Sequence, residues 1–383
     1  MSRKSFRWVA VAVIALGVAA ATVPVLMGWQ AERTWHDQVA ALDARLADSR
    51  EGAGARIVDY ERGLFSARVR TMLELPPSAL APPVRATLGL ADGPVELRLT
   101  QSVQHGWSSA AFDGYLQPVG ALAGLFARLG GTDRSLRISG RIGIGRQSVV
   151  VRAESLAGPL DRQGQLQLRS DPMRFEAVHA SRDGRLTAEL LWQGVGLDDA
   201  NNAAELQIDG LQGRTKARRM AGLMDLDFEL DWERLYLTDQ PVLRGGLGLE
   251  IERLAPAGLE SDSRYALALL AEPGPRAALT RFRMQDDAGA GLSARANLEI
   301  KPRMAELLLT GQSGMALWSA LHLDAELGID DALIAAIPAG QADWVRQAQA
   351  FGILRRQDGQ WRLEVSMDEG RLSVHGQPWW SGG

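Results

Sequence analysis

"QGRTKARRMAGLMDLDFELDWE", residues 212 to 233, decides how this chain is read. In its second half Asp225, Asp227, Glu229, Asp231 and Glu233 alternate with Leu226, Phe228, Leu230 and Trp232. A period of two sends the acids to one face of a β-strand and the apolar residues to the other. The first half alternates as well, through Arg214, Lys216 and Arg218. A short turn over Met220 to Leu223 would set Arg218 against Asp225, Lys216 against Asp227 and Arg214 against Glu229. Such cross-strand pairs contribute about a few tenths of a kcal/mol each. The five carboxylates also invite a calcium or magnesium reading. Same-face neighbours on one strand, however, stand roughly 6.5–7 Å apart, too far for all five to hold one ion. The solvated charge ladder is the preferred reading, and no metal is assigned.

Outward from this hairpin the same alternation recurs. It is seen in "VELRLT" (95–100), "QLQLRS" (165–170), "LTAELLW" (186–192), "AELQID" (204–209), "GLGLEIERL" (246–254), "YALALL" (265–270) and "ARANLEI" (294–300). Asp-Gly steps at 92–93, 113–114, 183–184, 209–210 and 358–359 read as turns between strands. The expected fold is mainly β (α+β): a large antiparallel, curved sheet with one wet and one dry face and a few covering helices. "PVGALAGLFARLG", Pro118 to Gly130, reads as a buried helix. "DDALIAAIPAGQADWVRQAQAFGIL", Asp330 to Leu354, reads as two helices broken at Pro338, with Trp344, Val345, Ala348 and Phe351 sharing a face. These helices are expected to lie over the dry face. A final hairpin puts Trp361, Leu363, Val365 and Met367 on one side, turns at Asp368-Glu369-Gly370 and returns through Leu372 and Val374.

The N-terminus carries a different signal. Arg3, Lys4 and Arg7 precede an uncharged run from Trp8 to Met27. About twenty helical residues span roughly 30 Å, the thickness of a hydrocarbon core. Trp8 and Trp29 flank the run, and the basic residues should stay cytoplasmic. Ala19-Ala20-Ala21 offers a signal-peptide cleavage site. The apolar run continues well past it, which favours an uncleaved anchor. The domain reading is therefore a cytoplasmic tail (1–7), a transmembrane anchor (8–28), a helical stalk (29–50), an antiparallel β domain (51–300), and C-terminal helices plus a final hairpin (301–383) packed on that same domain. Trp35, Val39, Leu42 and Leu46 give the stalk its helical spacing.

Next comes "DYERGLFSARVR", residues 59 to 70. It reads as an opening β-hairpin with a bulge or turn at Arg62-Gly63 and with Tyr60 and Phe65 in the core. A site built on Tyr60, Glu61 and Arg62 would need a second motif, and the sequence supplies none.

Composition narrows the chemistry. With 46% hydrophobic and 23% charged residues the chain should fold around a core. A net charge of -4 argues against nucleic acid as a partner. The absence of cysteine removes disulfides, zinc ribbons and cysteine nucleophiles. His36, His105, His179, His322 and His375 lack metal-ligand spacing. "GIGRQS" (143–148) starts like a dinucleotide loop, but strands flank it and Ser148 stands at the last glycine. Ser108-Ser109 has no identifiable base. No catalytic residue and no cofactor is assigned.

Three stretches together resemble the bacterial YdgA-like family: the N-terminal anchor, "YERGLFSARV" (60–69) and "QWRLEVSMDEGRLSVHGQP" (360–378). Tyr60, Arg62, Gly63, Leu64, Phe65 and Ser66 match the family's tyrosine-x-arginine-glycine-aliphatic-phenylalanine-serine opening. The family's closing hairpin ends on asparagine-glycine, where this chain has His375-Gly376. The resemblance implies a single-pass inner-membrane protein with a periplasmic, β-rich domain of undefined molecular function, and it brings no catalytic residues. The default expectation is an envelope scaffold or interaction module, with the membrane and envelope proteins as partners. The alternative is lipid or other apolar-ligand binding on a dry sheet face that includes Leu226, Phe228, Leu230 and Trp232. An enzyme ranks last.

Overall fold

The computed structural model describes residues 32–33, 35–37, 39–44, 46–47, 52–63, 66–76, 85–86, 94–105, 109–161, 163–199, 204–238, 242–255, 267–268, 271–312, 315–336 and 343–381. The anchor at Trp8 to Met27, the side chains of Leu64 and Phe65, and the Asp-Gly step at 92–93 lie outside them. Among the described residues no helix is long and apolar enough to cross a membrane. The fold is mainly β with few helices, and its strand pairings are antiparallel. The chain divides into two compact units, residues 1–178 with 195–204 and residues 179–194 with 205–383.

The first unit is built on a meander of β1 (Gly54–Arg62), β2 (Ser66–Leu75), β3 (Val95–His105), β4 (Ser109–Pro118), β5 (Leu136–Gly143) and β6 (Arg146–Ala153). Each strand pairs with the next in chain order. Three further strands follow: β7 (Leu156–Pro159), β8 (Leu166–Ser170) and β9 (Met173–Ala180). β7 pairs with β8, and β8 with residues 195–199 of β10 (Arg185–Asp199). The opening hairpin forms as the sequence predicts. Arg62 faces Ala67, and the Gly63 N–H donates to the Ser66 carbonyl at 2.7 Å. The core lies at Ala67, Val69 and Val103, the two valines being 0% and 2% exposed, with Ile57, Tyr60, Ala110 and Phe112 packed around them.

The helical residues between 32 and 47 contribute to this core. Trp35 packs edge-on against Phe112 with ring centroids 5.9 Å apart. Glu32 pairs with Arg62 at 3.0 Å, and Asp43 Oδ1 accepts the Ala55 N–H at 2.8 Å. Of the apolar positions read as a stalk, Trp35 packs into this core, whereas Leu42 is exposed. The helix Ala121–Arg128 falls inside the segment expected to be buried all round. It buries one side, through Leu125 and the following Leu129, and exposes Ala121, Gly124 and Ala127.

The second unit continues from the first part of β10 through β11 (Ala204–Met220), β12 (Leu223–Leu237), β13 (Leu243–Leu254), β14 (Arg276–Gln285), β15 (Gly291–Ile300) and β16 (Leu321–Asp330). β16 then pairs with β18 (Gln360–Asp368). The other edge of β18 takes β17 (Arg355–Gln357) and β19 (Arg371–Val374), and β20 (Gln377–Ser381) closes on β19. Strands of 15 and 17 residues, β12 and β11, far exceed the usual five or six.

The register expected at the opening quotation is the one found: Arg218 faces Asp225, Lys216 faces Asp227 and Arg214 faces Glu229. The turn is Ala221-Gly222, with φ of 53° and 83°. Two positive φ values in a two-residue loop match the right-handed twist of the flanking strands. The final hairpin turns at Glu369-Gly370, also at positive φ. His375 stands where the resembled family has asparagine and adopts φ 50° before Gly376 at 70°, so the terminal turn is kept.

Several expectations are corrected. Within "YALALL" the described residues Leu267 and Ala268 are helical rather than extended, as is Ala271. Ala268 and Ala271 pack with Met304, Ala305 and Ala320 against the helices Arg303–Leu309 and Met315–Trp318. Alternating Leu and Ala fits an i, i+3 helical stripe as well as a strand, and both residues favour helix. Asp113-Gly114 lies inside β4 and Asp209-Gly210 inside β11, not in turns. A Cβ on Gly114 would sit 2.2 Å from the Thr100 carbonyl of the neighbouring strand. Gly210 takes φ 62° where the β11–β12 pairing is interrupted between Asp209 and Gln212 without a change of register. The two helices expected there are Asp331–Ala336 and Asp343–Ala350, while Pro338 lies outside the described residues. Val345 is buried in the second, but Phe351, assigned to the same face, is 67% exposed because the chain leaves the helix there.

Glycine supplies a paired test. Gly114→Ala should destabilise the protein by about 1–3 kcal/mol, because the new methyl meets fixed backbone. Gly124→Ala, in an exposed helix position with nothing within 4 Å, should stabilise it by roughly 0.5–1 kcal/mol. Equilibrium denaturation of both variants checks the signs, and a harmless Gly114→Ala would remove the close-approach argument.

Candidate functional site

The register of the second unit builds one continuous apolar face. Phe228 faces Leu249, which faces Leu279, then Ala296, Ala325, Val365 and Val374 in turn. A parallel row runs Leu230, Leu247, Phe282, Ala294, Leu327, Leu363. Leu226 and Trp232 continue the face on either side, opposite Ile251 and Gly245. Period-two alternation keeps the charged partners on the other side, and in β14 a bulge between Leu279 and Phe282 resets the phase so that both stay on the apolar face. The structure therefore brings together all four residues singled out in the sequence, Leu226, Phe228, Leu230 and Trp232, and extends their surface as far as β19.

Burial grades along this face. Toward its far end Ile329, Met367 and Val374 are buried. The four β12 residues are each half-buried, as are Leu247, Leu249, Leu279 and Phe282. The helix Asp331–Ala336 follows β16 directly and lies near β15 and β16, and the cluster around Met304 reaches Ile300 and Leu321 at the ends of those strands. Alanines at 294, 296 and 325 keep the middle of the face low between the larger side chains of β14 and β18. Trp232 lies over Gly245, where an added Cβ would stand 2.4 Å from its ring. Its indole N–H is buried without a hydrogen-bond partner. The surface can bury hydrocarbon, at about 25 cal/mol per Å² of apolar area, and offers few polar contacts to choose among head groups.

The opposite, charged face is engaged locally. Lys216 reaches Asp227 at 3.4 Å, as the ladder predicts. Asp225 and Asp231 have partners other than those the ladder predicts. Arg253 N–H donates to Asp225 at 3.0 Å and Arg281 to Asp231 at 2.7 Å, while Arg214 turns to Glu189 at 3.4 Å. Register was readable from one hairpin, but these diagonal partners come from strands whose neighbours the sequence does not specify. Among the described residues no cluster of acids and histidines is placed to hold a metal ion.

Two further groupings have structural explanations. Burial, then the Glu32 charge, pushes the Tyr60 hydroxyl above its usual pKa, with Arg62 opposing. Glu32–Arg62 and Glu61–Arg68, the latter at 3.5 Å, tie helix and hairpin together around it. His322 sits between Asp324 at 2.9 Å and Asp368 at 3.3 Å. Asp368 is held below the usual carboxylate range chiefly by the hydrogen bond from Lys301, 2.8 Å away. Sequence spacing could not reveal that group, since Lys301 and Asp368 are brought together by β16 and β18.

The ladder gives a double-mutant test. Lys216→Glu should destabilise the second unit by about a few tenths of a kcal/mol, since it sets like charges opposite each other. Adding Asp227→Lys should recover most of that loss. A denaturation midpoint that fails to recover in the double variant would show that the pairing contributes nothing.

No curated protein and no solved structure matched the chain. A family described as bacterial protein of unknown function (DUF945) matches residues 2–222, more than half of the sequence. That span runs from the N-terminal apolar run through the opening hairpin and the first unit to the Ala221-Gly222 turn. The chain belongs to this bacterial family of unknown function, DUF945.

Proposed function

We propose that the protein is a single-pass, inner-membrane-anchored protein of the YdgA-like type, with both units in the periplasm. There it holds acyl chains on the apolar face of the second unit. The observation that carries this reading is the half-buried state of Leu226, Phe228, Leu230 and Trp232 within an apolar surface continuous from β12 to β19. Contiguous exposed apolar area beyond a few hundred Å² is rare on soluble proteins and usually marks binding. The uncharged run from Trp8 to Met27 supports a bilayer anchor. The reading is of a protein that binds and shields rather than one that catalyses. An envelope scaffold is the second reading, in which the same face meets another protein.

A photoreactive residue placed at Phe228 of the full chain in cells distinguishes the two. On irradiation it should yield adducts of lipid mass, several-fold more than the same residue placed at Glu229 on the opposite face. Protein adducts at Phe228 would favour the scaffold, and equal labelling at the two positions would end the acyl-chain reading. The anchor is checked on the same material. Retention in the membrane through alkaline carbonate washing is expected, whereas a mature N-terminus near Thr22 would show cleavage.

A further inference from the structure

The charged face of the second unit carries a feature that acyl-chain binding does not use. A cavity of ≈ 570 Å³ opens there, walled by Arg244, Arg281, Arg283, Gln212 and Gln285 and floored by Gly246. Register explains how it arises. Gln212 faces Asp231, Asp231 faces Gly246, and Gly246 faces Arg283. The row goes on through Ser293 and Gly328, so the floor stays low. A second cavity of ≈ 250 Å³ shares Arg283 and Gln285 with the first. Glycine is needed at the floor, for a Cβ on Gly246 would come within 2.2 Å of Asp231 Oδ1 and 3.1 Å of Arg281 Nη2.

The charges in this cavity do not cancel in pairs. Asp231 is taken by Arg281 at 2.7 Å, which also fixes where that guanidinium stands. The Glu233 side chain lies against Gly210 at the rim, its Cγ 2.4 Å from where a Cβ there would be. Among the described residues neither Arg244 nor Arg283 has a carboxylate partner. Like charges gathered on two neighbouring strands, Arg244 on β13 and Arg281 and Arg283 on β14, repel unless an anion lies between them.

We propose that this cavity binds a phosphate group, with Arg283 at its centre and Arg244 and Arg281 on either side. A planar carboxylate is satisfied by one guanidinium fork, whereas a tetrahedral phosphate presents oxygens in several directions and suits donors converging from different strands. The Gln212 and Gln285 amides add neutral donors, and the glycine floor lets the ligand approach the backbone. The volume falls in the usual small-ligand range of roughly 300–1,000 Å³, so the phosphate can carry an organic substituent. Its source is either a soluble phosphoester or a lipid headgroup. Trp232 and Gly245 also line the cavity but Phe228 does not, so the site and acyl-chain binding are told apart at Phe228.

The test uses the full chain purified in an uncharged detergent, titrated with inorganic phosphate and with glycerol phosphate and followed by calorimetry. The same chain is tested for flotation with phosphatidylglycerol vesicles and with phosphatidylcholine vesicles, whose headgroup phosphate carries a neutralising choline. Arg283→Gln is compared with Arg141→Gln, an exposed arginine on β5 of the first unit, and circular dichroism confirms that both variants fold. Saturable binding of the soluble phosphates, weakened about tenfold or more by Arg283→Gln and unchanged by Arg141→Gln, is expected for a soluble ligand. Arg283-dependent flotation with phosphatidylglycerol, with no binding of the soluble phosphates, assigns the site to a lipid headgroup. Absence of both, or binding that both variants weaken equally, overturns the proposal. Lipid labelling from Phe228 should persist in Arg283→Gln, so the two readings can fail independently.

Discussion

Everything in the second unit depends on the register fixed at Ala221-Gly222. A β-strand has a side-chain period of two, so a slip of one residue would exchange its wet and dry faces. With Met220 opposite Leu223, the basic and acidic runs of β11 and β12 meet on one side, and Leu226, Phe228, Leu230 and Trp232 emerge together on the other. The later strands carry this phase as far as Val374 on β19, with a bulge in β14 between Leu279 and Phe282 that returns both to the apolar face. The apolar face and the arginine-lined cavity are thus two sides of one pairing decision.

Glycine shapes both sides of that sheet. Gly245 admits the Trp232 ring on the apolar face, and Gly246, one residue on, admits the Asp231–Arg281 pair on the charged face. Adjacent glycines in β13 thereby serve opposite surfaces, at the cost that glycine normally brings to a strand. In the first unit Gly114 lets β4 close on β3. These are positions where the backbone of one strand approaches atoms of another, and the sequence marks them only as glycines.

The extent of what could be read follows from how far each signal reaches. The hairpin at 212–233 was legible because its evidence is local: matched alternation on both sides of a short turn. The opening hairpin at Arg62-Gly63 and the final one at Glu369-Gly370 were legible for the same reason. Asp113-Gly114 was misread because a turn and a close-packed strand glycine use the same residue, and only the Thr100 carbonyl tells them apart. "YALALL" was misread because two leucine-alanine periods fit in six residues. Ala268 and Ala271 become helical by packing on Met304 and Ala305, which are remote in sequence. Trp35 looked like one apolar position of a stalk, and its partner Phe112 lies two strands beyond the opening hairpin.

The sequence by itself determined the β character, the phase of strands with clear alternation such as β11 and β12, and the apolar identity of the β12 face, because alternation and turn chemistry act between neighbours along the chain. It also carries the uncharged N-terminal run, whose length alone suits a bilayer. Tertiary structure decided which strands adjoin, and hence that Phe228 is continued by Leu249 and Leu279. It also decided that Asp231 is answered by Arg281 and that Arg244 and Arg283 share one cavity. Those outcomes rest on contacts between residues tens of positions apart. Such contacts form when whole strands dock and their side chains compete for partners, so no local pattern in the chain encodes them.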